Sequence, residues 1–258
     1  MQILVCIKQI LDPKTVRVSR SRQALDTRKA EPMVNPPDKH ALEAALRLKE
    51  RTDARVTAVS LGPPEADDAL REALAIGADQ AYLLSDELLL AADAHGVAVA
   101  IAAAARQLGD VRLLLTGARA LDTGSGTLAA LIAESLGWPM ILNGFGLQLV
   151  EDRLQAYQQL DGQGYLASVS LPAVVSVAPT VERPRYPHGA RIMNAYRTMQ
   201  VTTWTSQDLG LSAETLAPRT ELRELQLPPE RELGVIVEGT PEEAARTLVQ
   251  HLRDRRLL

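Results

Sequence analysis

The chain has 258 residues, 46% of them hydrophobic, which is enough for one sizeable core, or one large domain with an appendage, and excludes wholesale disorder. Its 32 acidic and 28 basic residues leave a formal charge of -4, which gives no electrostatic footprint for DNA or RNA. Aromatic residues make up only 3%, too few for base-stacking platforms or for a cage around a flat cofactor, so a bound ring would take much of its packing from another chain.

From the N-terminus, "MQILVCIKQ" reads directly as a strand, with no basic region leading into an apolar signal. It carries the one cysteine, Cys6, which excludes an intrachain disulfide or a Cys-rich metal site, fits a reducing compartment and reads as a small buried hydrophobe. Apolar runs of strand length then alternate with helical patterns: "ILVCIK", a helix over 38–50, "RVTAVSL", a helix over 65–76, "AYLLS", a helix over 91–108, "VRLLLTG" and a helix over 125–136. This alternation predicts crossover connections and a doubly wound, mostly parallel α/β sheet that binds ligands at the carboxyl ends of its strands, near the switch in strand order. The longest apolar run, 96–105, is about half of the roughly 20 residues that span a bilayer, so the expectation is a cytoplasmic protein without membrane insertion.

After Pro139, alternating segments separated by turn signals ("FGLQLVED", "RLQAYQQLDGQG", "YLASVSLP", "AVVSVAP") predict an antiparallel extension of the sheet, with a hairpin turn at Asp161-Gly162-Gln163-Gly164. From about Ser206 the core-forming period disappears among spread prolines and mixed charge. One clear helix starts near Pro241, with Thr240 as N-cap, acids in its first turn and Arg253, Arg255 and Arg256 at its end. Such a tail either packs on another chain or frays as a flexible end. The expected organisation is a nucleotide-binding domain over 1–205 and an arm over 206–258.

Two loops have the chemistry for a nucleotide. In "TGARALDTGSGTLAALIAESLGWP", glycines allow close approach of an anion, N–H groups at a helix start donate to it, and hydroxyls add donors. The alternative is an ordinary capped turn. Asp122 repels phosphate there unless it caps the turn or binds a ribose hydroxyl. The loop lacks the Gly-Lys-Ser/Thr ending of a Walker sequence, the dinucleotide Gly-x-Gly-x-x-Gly spacing, and the Ser-Gly-Gly-x-Asp-Ser pattern of ATP-cleaving proteins, which favours binding without hydrolysis. In "MVNPPDKHALEAALRLKE", Asp38 is placed to cap a helix whose Leu42, Ala45, Leu46 and Lys49 share a face. Asn35, held extended by the following proline, either reads the edge of a base or forms a structural turn. The four histidines, His40, His95, His188 and His251, show no metal spacing, and the charged pattern over 65–72 reads as a solvated helix face.

Several separated motifs occur in one order: "ILVCIKQILDP", "VNPPDKHALEAALRLKE", "TAVSLGPPEADDALREALAIGADQAYLL", "LLLTGARALDTGSGTLAALIAESLGWP", "LPAVVSVAPTVERPRYPHGARIMNA" and the final Asp-Leu-Gly before the arm. In this the chain resembles the electron-transfer flavoprotein beta subunit over about residues 1–210. The resemblance implies a heterodimer with an alpha subunit that holds most of the electron-carrying FAD, while the beta subunit binds AMP as a structural nucleotide, or a second FAD in bifurcating members. It implies electron shuttling from acyl-CoA or other flavin dehydrogenases to a quinone oxidoreductase or another acceptor, with no acid–base catalytic residue. By position, the nucleotide site falls on Cys6, on Asn35, Pro36, Pro37 and Asp38, on Leu61, and on Gly117 with Asp122, Thr123, Gly124, Ser125, Gly126, Thr127 and Leu128.

The chain also departs from the family pattern. Asp122 is kept, but Gly124 and Thr127 replace the second acid and the glutamine of the Asp-x-Asp-x-x-Gln loop, and Pro37 stands where an aromatic residue often approaches the flavin. In the partner-recognition segment, with Tyr186, His188, Gly189, Ile192 and Tyr196, glycine replaces a leucine anchor. A narrower or different set of dehydrogenases is expected, unless Ile192 or Tyr186 takes over as anchor. A flavin-free adenine-nucleotide sensor using the same loops is the competing reading, and the long tail speaks against it.

Overall fold

Residues Gln2–Cys6 are buried without a break, as a strand covered on both faces must be. They form β1, at the centre of the architecture in a computed structural model that describes residues 1–19, 24–179, 183–224, 226 and 234–258. Residues 180–182 of the last resemblance motif and 227–233 of the proline-containing tail lie outside the described residues. The chain continues through β2 (Gln9–Leu11), β3 (Arg17–Ser19), β4 (Ala24–Asp26), β5 (Pro32–Val34), α1 (Pro36–Arg51), β6 (Arg55–Leu61), α2 (Asp67–Ile76), β7 (Gln80–Leu84), α3 (Glu87–Leu90), α4 (Ala94–Leu108), β8 (Val111–Gly117) and α5 (Leu128–Leu136). Then follow β9 (Met140–Val150), β10 (Arg153–Leu160), β11 (Gln163–Ser170), β12 (Ala173–Val177), α6 (Gly189–Arg197), β13 (Val201–Trp204), α7 (Ala213–Leu216) and α8 (Pro241–Asp254).

The main sheet has nine strands in the order β11-β10-β9-β12-β8-β1-β6-β7-β13. From β9 to β13 every neighbouring pair is parallel, whereas β9, β10 and β11 form an antiparallel meander. Alternate residues of β1 face opposite layers: Ile3 and Val5 join α1 and α2, while Leu4 and Cys6 join α4 and α5. The sheet is therefore doubly wound. From β1 the chain builds outward through β6 and β7, then returns to place β8 on the other side of β1, so the topological switch lies between β1 and β8.

Two sequence expectations shift. "AVVSV" is not part of the antiparallel extension, because β12 inserts in parallel between β8 and β9. All five of its residues are buried, the signature of an interior parallel strand rather than a half-exposed antiparallel one. The helix expected from residue 125 starts at Leu128, because Gly124 and Gly126 take positive φ values of 69° and 64° that no helical turn accommodates. The first compact unit is Met1–Arg223, and Leu209 and Leu216 are buried in the layer of α4. The turn at Asp161-Gly162 stands as expected, with φ of 50° and 78° joining β10 to β11.

The second unit, Glu224–Leu258, contains α8. Thr240 accepts from the Glu243 N–H while the Glu243 carboxylate accepts from the Thr240 N–H, a complete capping box. None of the residues of α8 is buried. Among the described residues no helix is long and apolar enough to cross a membrane.

Candidate functional site

The carboxyl ends of β1 and β8 meet the first turn of α1, and the meeting is organised by Asp38. Its side chain does not cap the helix as expected: Asn35 occupies the N-cap position, and neither side chain caps there. Instead Asp38, 6% exposed, accepts from the Lys8 N–H at 2.8 Å and the Gly117 N–H at 3.2 Å, tying α1 to the strand ends on either side of the switch. A Cβ on Gly117 would lie 2.3 Å from the Asp38 carboxylate, 2.7 Å from the Pro37 carbonyl carbon and 2.8 Å from the Asp38 nitrogen. The glycine is thus required first by this helix contact.

Burial pushes the Asp38 carboxyl up to about 7, against the opposing pull of the Lys8 N–H, the Asn35 amide, the Gly117 N–H and the Lys8 charge. A carboxyl raised on folding binds its proton more tightly in the native state. Its contribution to stability is therefore full below the ordinary carboxyl range near pH 4 and is lost as the pH rises through about 7. We expect wild-type stability, measured relative to Asp38→Asn by urea melts between pH 4.5 and 7.5, to fall with a slope approaching about 1.4 kcal/mol per pH unit. A difference that stays flat across that window would show that Asp38 does not titrate there.

Asn35, 1% exposed, uses its amide within the protein. Nδ2 donates to the Arg119 carbonyl at 3.1 Å, and Oδ1 accepts from the Leu121 N–H at 3.1 Å. The amide thus latches the turn before α1 to the loop after β8, a long-range tie rather than a local turn. The loop itself, Leu121 to Thr127, is exposed. Asp122 caps its own turn, accepting from the Thr123 N–H at 2.8 Å, and forms an ion pair with Lys8 Nζ at 2.6 Å. Lys8 went unremarked in the sequence, and it neutralises the carboxylate that made this loop an awkward anion site. Gly124 donates to the Ala120 carbonyl at 2.8 Å, and the open N–H groups of the first turn of α5 follow directly.

Cys6, Leu61 and Leu128 share one apolar cluster at this edge of the sheet. Burial, and next the charge of Asp38, raise the Cys6 thiol far above its usual range, so it acts as a wall rather than a nucleophile. Residues 35–38 and 117–121 are joined by direct hydrogen bonds, while Thr123 to Thr127 are exposed.

The residues expected to recognise partners lie elsewhere, on α6 and the segment before it. Tyr186 is 91% exposed, His188 is the uncapped N-cap of α6, and a side chain at Gly189 would meet nothing within 4 Å. Tyr196 is held to α2: its hydroxyl donates to Asp68 at 3.1 Å, and the Arg71 guanidinium stands 5.3 Å from its ring centroid. Charged residues over 65–72, expected as a solvated face, are partly tied down, with Arg71 on Asp67 and Glu72 on Lys39. Sequence reasoning also missed Arg185, which binds the buried Glu43 through Nε at 2.8 Å and Nη2 at 3.1 Å and reaches Glu50 at 2.6 Å.

A switch point flanked by a glycine loop, a helix start and a latched second loop defines a doubly wound α/β protein with its ligand edge at the carboxyl ends of β1 and β8. Within that class the chain belongs to the electron transfer flavoprotein family, whose Electron transfer flavoprotein domain model matches residues 24–209. It is 32% identical, over the whole of both chains, to the Electron transfer flavoprotein subunit beta of Thermoanaerobacterium thermosaccharolyticum. It is likewise 32% identical over both full lengths to the Caffeyl-CoA reductase-Etf complex subunit CarD of Acetobacterium woodii, and 27% to the Acryloyl-CoA reductase electron transfer subunit gamma of Anaerotignum propionicum. The resemblance to beta subunits therefore extends over the entire chain, and the role of its family is electron transfer.

Proposed function

We propose that this chain is the beta subunit of a heterodimeric carrier, which covers one side of an FAD held mainly by an alpha subunit and binds AMP at the edge between β1 and β8. The observation that carries the nucleotide reading is the Lys8–Asp122 pair, which removes the one charge that opposes phosphate beside Gly124, Gly126 and the start of α5. In this reading Ser125, Gly126, Thr127 and Leu128 hold the phosphate, and Cys6, Leu61 and the turn at Pro36 and Pro37 form walls. The flavin, when bound, supplies the electron-carrying chemistry. This chain orients and shields it, and its raised Cys6 thiol and desolvated Asp38 take no part in electron transfer.

A redox partner that works on acyl-CoA substrates is supported by two relatives named for acyl-CoA reductases, and in this reading an acyl-CoA or other flavin dehydrogenase is the donor. The acceptor is a quinone oxidoreductase or another redox protein, and the carrier works in the cytoplasm. Gly189, with open space around it, leaves Tyr186 and Ile192 as the apolar contacts of the docking segment.

The test is to co-express the chain with its alpha subunit, denature the purified complex and quantify the released nucleotides. One FAD and one AMP per heterodimer support the proposal; two FADs make this a bifurcating form; FAD alone means that the Gly124 and Thr127 changes have emptied the site. A complex with no flavin would leave the nucleotide sensor. In the same assay Lys8→Met, which exposes the Asp122 charge to phosphate, is expected to weaken AMP retention about tenfold while leaving FAD in place. Equal AMP in both proteins would remove the charge-balancing role of Lys8.

A further inference from the structure

A cavity of ≈ 350 Å³ opens between the β2–β5 ribbon, α2 and α6. That is within the size range of sites for small ligands or single side chains. Met33, Val34, Ala69 and Ile192 give it apolar walls. Its polar atoms are unevenly satisfied. Arg71 is turned to Asp67 and to the carbonyls of Ala195 and Met199, and Glu72 is paired with Lys39. Asp68, by contrast, meets a neutral hydroxyl, that of Tyr196, and Gln9 Oε1 is buried with no hydrogen-bond partner among the described residues. A buried acceptor without a donor is costly to keep and is normally matched by a ligand or a partner group.

The geometry points to an arginine side chain of a partner protein as the occupant of this cavity. An arginine offers an aliphatic stem for the apolar walls and a guanidinium whose diverging N–H groups serve more than one acceptor, here the Asp68 carboxylate and, once the Gln9 side chain turns its covered amide oxygen toward the cavity, Gln9 Oε1. A macromolecular partner, rather than a free amine, fits the surroundings. Met193 is 54% exposed on the helix that supplies Ile192 and Tyr196, and Tyr186, 91% exposed, directly precedes the lining residue Pro187. Exposed apolar and aromatic groups around a pocket that accepts one anchor are the pattern of a protein–protein hot spot. The assignment rests on the reading of 186–197 as a docking segment and gives that segment a receptor for one defined side chain.

The test uses the full chain in complex with its alpha subunit and two probes, acetyl-arginine methylamide and its neutral isostere acetyl-citrulline methylamide, titrated by calorimetry or NMR. Binding of the arginine probe at least about tenfold tighter than the citrulline probe is expected, with that preference lost in Asp68→Asn and arginine binding weakened in Gln9→Met. Equal binding of the two probes, or unchanged preference in both variants, overturns the proposal. So does binding of agmatine without binding of the blocked arginine, which would make the ligand a small amine. The docking reading is checked separately: Tyr186→Ala and Met193→Ala are expected to slow electron transfer from an acyl-CoA dehydrogenase. Unaltered transfer would sink that reading without touching the result from the probes.

Discussion

Gly117→Ala is expected to destabilise the protein by about 4 kcal/mol or more, enough to leave much of it unfolded at 37 °C. The contacts that its Cβ would make are 2.3 Å to the Asp38 carboxylate, 2.7 Å to the carbonyl carbon of Pro37 and 2.8 Å to the nitrogen of Asp38. The first belongs to a side chain and the other two to the backbone of α1, so removing the carboxylate cannot relieve the collision. The double variant Gly117→Ala with Asp38→Ala should therefore be no more stable than Gly117→Ala alone. Gly126→Ala is the contrasting case. There the strain is that of a φ of 64°, and the nearest atom is the Ala118 carbonyl oxygen at 3.3 Å, so a cost of about 1–2 kcal/mol is expected. Urea unfolding of the three variants separates the two kinds of glycine. A Gly117→Ala protein within about 1 kcal/mol of wild type would mean that α1 shifts freely away from β8, and the tie through Asp38 would lose its importance.

The strands β6 and β8 were legible to the residue because a buried parallel strand is a short, predominantly apolar run rich in Val and Leu. What escaped were the contacts made across long separations. Asp38 has the local form of a cap, but its partners, Lys8 and Gly117, lie 30 and 79 residues away and compete successfully for its oxygens. Lys8 pairs with Asp122 across 114 residues, a relation that no local spacing encodes. In the loop, Ser125 and Thr127 look like helix starters, yet two positive-φ glycines keep the chain out of the helix until Leu128. The inserted position of β12 had a visible signal in a short, mostly apolar run interrupted only by Ser176, unlike the alternating segments before it.

These long-range contacts also hold a defined surface at the carboxyl ends of β1 and β8 in a chain with few aromatic residues. The turn at residues 35–38 is fixed by Asp38, the loop after β8 is latched to it by the Asn35 amide, and the Asp122 charge within that loop is cancelled by Lys8. Each contact crosses the switch between β1 and β8 or closes over it, so the geometry of the edge depends on the strand order itself. Only the outer turn, Thr123 to Thr127, is free of these ties, which leaves the adaptable part of the loop where a nucleotide would be held.

Arg185→Ala is expected to cost about 2–3 kcal/mol and to loosen the segment that leads into α6. Glu43 is 4% exposed in the middle of the buried face of α1, a position where an unpaired carboxylate is expensive. Burial raises its pKa, but the hydrogen bonds from Arg185 and then from Arg47 more than offset this and hold the carboxyl below its ordinary range. Arg185 gives Glu43 two guanidinium contacts and a backbone N–H at 3.2 Å, whereas Arg47 reaches it through Nε at 2.9 Å from a side chain 40% exposed. Arg47→Ala should then cost no more than about 1 kcal/mol. Because the Glu43 carboxyl is lowered on folding, the contribution of the pair is present above the ordinary carboxyl range and is lost as the pH falls below it. Hydrogen exchange supplies the second measurement: in Arg185→Ala, protection at residues 185–192 should drop while α1 keeps its own. Equal costs for the two arginines would place the anchoring in the cluster as a whole. A large loss confined to Arg185, with α6 released, would identify it as the residue that holds the docking segment against the core.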